Sequence, residues 1–188
     1  MGEAGNRVAG ALMFVGAAQF ALFMLIAECI YPNYSVSKNY ISELGALQAP
    51  TAFMFNASII VLGLTAIAAV YFLWRRKTIT NKVFLGFLAL CGIGCAGVGI
   101  FPMDFQLPHA IAAILAFVFG ALAAIASYKF QGAPASYFSV VLGIVSLIAF
   151  VSFVLRIDFG LGIGGIERMI SYPTLLWAMM FGGYLMKE

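Results

Sequence analysis

The stretch VFLGFLALCGIGCAGVGIF, Val83–Phe101, decides the architecture: 19 residues pass without one charged side chain. A helix of about 20 apolar residues crosses the hydrocarbon core of a bilayer. The run is too long and too unalternating for a barrel strand. Working outward, five more stretches read the same way: Val8–Ile30, Thr51–Trp74, Ala110–Tyr128, Ser136–Leu155 and Ile170–Met186. Backbone groups in hydrocarbon must bond within their own segment, so each run is expected as a helix. The chain therefore reads as all-α, a polytopic six-transmembrane-helix bundle forming one transmembrane domain over residues 1–188.

The charges agree. Of ten Lys or Arg and seven Asp or Glu, Glu28 alone falls inside a stretch. With 64% hydrophobic and 9% charged residues, and a mean hydropathy of +1.05, the chain cannot coat a soluble globule, which carries about 25% charged residues. This excludes a soluble enzyme, a disordered chain and a nucleic-acid binder. The first apolar run exceeds a signal-peptide core and is expected to stay as a span.

Within the opening stretch, Cys91, Cys95 and Gly99 recur every four residues, with Gly92 and Ala96 beside them. Such a small face lets helix backbones approach closely in lipid, so the third span is expected at the centre of the bundle. Through Gly94 and Gly97, small faces also offer a route to oligomers or partner spans. Three cysteines make no disulfide framework, and one histidine supplies neither a zinc pattern nor a pair of haem ligands. No metal or cofactor is expected.

An even number of spans puts both termini on one side. With the termini cytoplasmic, Arg7, Arg75, Arg76, Lys77, Lys82, Lys129 and Lys187 lie inside, and Lys38, Arg156 and Arg168 outside. That is the positive-inside bias of a multi-pass protein of the cell membrane.

Chemically capable side chains then gather in three outer loops. In the first, Ser35–Gly45, the residues Val36, Tyr40, Ile41, Leu44 and Leu47 fall on one helical face, predicting a short interfacial helix begun by a serine cap and ended by Gly45. The second is Phe101–His109. The third, Arg156–Arg168, has four glycines expected to form a flexible or tightly turned backbone.

The sequence Ile41-Ser42-Glu43-Leu44-Gly45, then Phe101-Pro102-x-Asp104 with His109 opening the next helix, then Gly165-x-Glu167-Arg168, resembles the uncharacterised six-span family catalogued as domain of unknown function 998. That family is distantly similar to DRAM-type membrane proteins. The resemblance spans nearly the whole chain. It implies a six-helix bundle with its polar motifs on one side, singles out Ser42, Glu43, Asp104, His109, Glu167 and Arg168, and brings no reaction.

Read as chemistry, Asp104 can orient His109 as a general base, with Glu43 as a second acid. Arg156 and Arg168 can hold a phosphate or carboxylate. Ser42, Lys38, Glu167, Glu28 and Asn56 complete the candidate ligand contacts. The competing readings are structural: Glu167 or Asp158 pairs with Arg156 or Arg168; Glu28 snorkels or pairs with one of those arginines; Asn56 makes an interhelical hydrogen bond. The expectation is an outward-facing polar pocket that binds an amphiphile or lipid head group, with membrane lipids as partners and catalysis left open. The alternatives are a small transporter or channel and a structural or assembly protein.

Overall fold

The computed structural model describes residues 2–75, 79 and 81–187, with side chains from Asn6 onward. Arg76 and Lys77, used above for orientation, lie outside the described residues.

The apolar runs form six helices: α1 (Gly2–Ile30), α2 (Ala52–Arg75), α3 (Lys82–Ile100), α4 (Gln106–Ala126), α5 (Ala135–Val154) and α6 (Gly162–Lys187). No strand occurs among the described residues. Local chemistry sets the boundaries. Asn81 Oδ1 accepts from the N–H groups of Val83 and Phe84 at 3.1 and 3.0 Å, the usual start of a helix. α3 ends at Ile100, just before Phe101-Pro102, since the residue ahead of a proline is pushed out of the helical region. Gly162, at φ +75°, turns the chain into α6.

Each helix packs against its neighbours in chain order, and α6 returns to α1, so the six form an antiparallel ring. One end carries the termini and the connections after α2 and α4. The other, called here the lid end, carries residues 31–51, 101–105 and 155–161. Leu22, Leu64, Val141 and Ile148 point outward and exposed, as a lipid-facing surface requires. α1 (from Asn6), α2, α3, α4 with its 3-10 extension to Phe130, and α5 are long and apolar enough to cross a membrane. α6 is of similar length, but its first three turns carry Glu167, Arg168, Ser171, Tyr172 and Pro173. The protein is thus a membrane-type helical bundle.

Close approach is built on small residues. A Cβ on Gly94 would strike the α4 backbone at Ala112 and Ala116; one on Gly63 would strike Gly92 and Ala96; one on Gly99 would strike Asn56. The small faces of α3 are therefore occupied by α2 and α4 within the chain. α3 is wedged between these two helices as one member of the ring. Gly10 and Gly182 close α1 on α6 in the same way.

Two expectations need correction. The third lid-end loop stops at Leu161: Gly164 and Gly165 are helical, and Glu167 and Arg168 stand in the second turn of α6, buried. Gly164 is there for contact, since a Cβ would strike the carbonyls of Val36 and Asn39. The interfacial helix reduces to one 3-10 turn, Ile41–Gly45, whose cap position is Tyr40 rather than a serine. Ile41, Leu44 and Gly45 are buried, while Val36 and Leu47 are exposed. The turn plugs the mouth of the ring instead of lying on its surface, because its backbone groups find partners inside.

Candidate functional site

Loop 31–51 closes the lid end, and side chains from three helices staple it down. Arg168 of α6 is the main staple. Its Nε and Nη2 donate to Glu28 Oε1 on α1 at 3.0 and 2.6 Å, with the two side chains 4% and 8% exposed. Nη2 also donates to Tyr34 Oη at 2.7 Å, and Nη1 to the carbonyls of Val36 and Gly164, both at 2.9 Å. Every guanidinium donor is taken. Burying this pair is tolerable because each charge is both paired and hydrogen-bonded. Tyr34 passes the link on, donating to the Tyr40 carbonyl at 2.8 Å. Burial pushes its phenol up to about 12, against the opposing pull of Arg168.

The rest of the loop is fixed in the same manner. Glu43 accepts from the Tyr40 N–H at 2.8 Å and from Asn39 Nδ2 at 2.7 Å, an internal cap on the short turn. Asn56 of α2 donates to the Gly45 carbonyl at 2.8 Å, and Thr51 to the Leu44 carbonyl at 2.6 Å. Asp104, from the neighbouring loop, accepts from the Leu47 N–H at 2.9 Å. Glu167 accepts from the Ile41 N–H at 2.5 Å.

Beneath the loop lies a cavity of about 100 Å³. Ile41, Ser42, His109 and Glu167 line its lid end. Its wall continues through Phe20, Phe55, Ile59, Leu62, Cys95 and Leu175 down to Met13 and Trp177. The floor is fixed: the Trp177 indole stacks on Phe181 and donates to Ser127 Oγ at 2.9 Å. His109 Nδ1 lies 2.8 Å from the Phe101 carbonyl. A carbonyl can only accept, so Nδ1 carries the proton and a neutral ring leaves Nε2 as an acceptor.

The three loops thus meet at one end, and the candidates divide within it. Ser42, His109 and Glu167 line the cavity. Arg168, Glu28, Glu43 and Asn56 are committed to holding the loop. Asp104 is exposed and bonded to Leu47 rather than to His109, whose ring is oriented by a backbone carbonyl instead. Lys38 and Arg156 are exposed, and Arg156 reaches only Tyr40 Oη at 3.4 Å. Sequence reasoning missed Tyr34, Ser171, Thr174 and Trp177. Trp177 carried a signal: a tryptophan in the middle of an apolar run, rather than at its edge, asks for an internal partner for its N–H.

A family described as "Protein of unknown function (DUF998)" matches residues 14–184, nearly the whole chain. Neither the curated proteins nor the solved structures yield a match.

Proposed function

We propose, from the premise that this chain belongs to the DUF998 family, that it is a six-span protein of the cell membrane, termini cytoplasmic, which binds an amphiphile or lipid head group beneath the stapled loop. The observation that carries this reading is the graded wall of the cavity: chiefly carbon from Leu62 to Met13, with the hydroxyls of Thr65 and Thr174 among it, and a carboxyl, an imidazole and a hydroxyl at the lid end from Glu167, His109 and Ser42. The apolar part of a ligand lies along the carbon wall and its polar part sits under the loop. Size limits the ligand. Drug-sized molecules need roughly 300–1,000 Å³, so about 100 Å³ accepts a small amphiphile or only one end of a larger one. Binding is supported ahead of catalysis, because the carboxylate nearest His109 in sequence is bonded elsewhere.

Trp177 reports on the cavity directly. In a Trp74→Phe background it is the only tryptophan. A short bromoalkyl amphiphile added to the protein in lipid nanodiscs is expected to quench it saturably. Ala113→Phe, which fills the cavity from α4, is expected to abolish that quenching. Quenching that never saturates, or that survives in Ala113→Phe, would remove the reading.

A further inference from the structure

The polar atoms facing the cavity are nearly all of one kind. Ser171 donates its proton to the Glu167 carbonyl at 3.1 Å, Thr174 to the Ser171 carbonyl at 2.8 Å, and Thr65 to the Leu62 carbonyl at 2.9 Å. Each of these lining hydroxyls has spent its donor on its own helix and keeps only lone pairs. His109 has spent its Nδ1 proton on Phe101 and offers Nε2. Glu167 is 5% exposed, and the ion pair formed among the described residues is Arg168–Glu28, so this carboxyl has no cationic partner. No Lys or Arg lines the cavity among the described residues. The arginine beside Glu167 in sequence, which would suit an anion, faces Glu28, Tyr34 and the loop carbonyls.

Apart from the Ser42 hydroxyl, which makes no hydrogen bond among the described residues, these are acceptors without donors; around a buried carboxyl without a cation, they call for a ligand that brings both. We infer that the polar group bound at Ser42, His109 and Glu167 is an ammonium on a short alkyl chain, and that the site discriminates against carboxylates and phosphates. This rests on the amphiphile reading above and narrows it. An ammonium supplies up to three donors and the missing positive charge. An anion would meet lone pairs at each of these groups except the Ser42 hydroxyl.

Three probes of equal length decide it: 6-bromohexylammonium, 6-bromohexanol and 6-bromohexanoate, each read by Trp177 quenching in Trp74→Phe protein in phosphatidylcholine nanodiscs. The ammonium is expected to bind at least tenfold tighter than the alcohol, and the carboxylate weakest. Glu167→Gln keeps an acceptor for the Ile41 N–H. It is expected to weaken the ammonium at least tenfold and leave the alcohol unchanged, which also certifies a folded cavity. Exchanging the lipid for phosphatidylethanolamine separates the sources: competition identifies a lipid amine, and unchanged affinity a free one. An ammonium no tighter than the alcohol, or an unaltered ammonium affinity in Glu167→Gln, overturns this inference while the amphiphile reading stands. Saturable quenching by none of the three overturns both.

Discussion

The two ends of the ring are closed by different physics. At the lid end a 21-residue loop, 31–51, is held by directional bonds from Arg168, Glu28, Tyr34, Glu43, Asn56 and Glu167. At the termini end Leu73, Phe84, Trp177, Phe181 and Leu185 fill the lumen as a packed plug, with Phe84 and Phe181 edge to face at 5.6 Å. Lipid tails are as apolar as these side chains, so the plug is held by shape and dispersion more than by exclusion of water. The staple depends instead on a few atoms, each expensive to leave unpaired.

This contrast can be tested in descending order of effect. Arg168→Met strands Glu28 and removes the bonds accepted by Tyr34 and by the carbonyls of Val36, Asn39 and Gly164; removing one partner of a buried pair costs about 3–5 kcal/mol. We expect a drop of that size in unfolding free energy, read in detergent, with loop 31–51 newly open to protease. A folded variant with a protected loop would show the staple to be dispensable.

Phe84→Ala attacks the plug. Its expected cost is about 2 kcal/mol, from roughly 24 cal/mol per Å³ over a cavity of about 100 Å³. The loop should stay protected, so the two variants separate in proteolysis as well as in stability.

Alkaline titration tests the staple. Tyr34 is raised from its ordinary 10.0 to about 12. The unfolded chain then ionises first as pH rises, so stability present below pH 10 falls between 10 and 12. In Tyr34→Phe the slope over that window should flatten, and an unchanged slope would place its origin elsewhere.

Asn56→Leu removes a single bond to Gly45. Polar contacts of this kind average about 0.6 kcal/mol in membrane bundles, so the shift should be small. A loss comparable to that of Arg168→Met would mean that Asn56, not Arg168, anchors the loop.

The helices were readable from sequence because their cause is local. Val83–Phe101 has no polar group to satisfy outside its own backbone, and the helix Lys82–Ile100 follows within a residue. α6 departed furthest, starting at Gly162 rather than Ile170. Its start at Gly162 depends on carbonyls of residues 36, 37 and 39, more than a hundred residues away, and on the Gly164 N–H donating to Ser37. No window of sequence contains that information. The gathering of polar groups at one end was legible too, since span parity alone assigns the loops to sides. The division of labour inside that gathering was not.

What the sequence determined by itself is therefore the run of long apolar helices and the crowding of Glu43, Asp104, His109, Glu167 and Arg168 at one end of them. Hydropathy and chain alternation are properties of consecutive residues. Only the tertiary structure decided that Arg168 is spent on Glu28 while Glu167, its neighbour in the chain, faces the cavity without a cation. Successive residues of a helix point about 100° apart, so which of two adjacent charges meets a partner depends on what the other helices bring alongside.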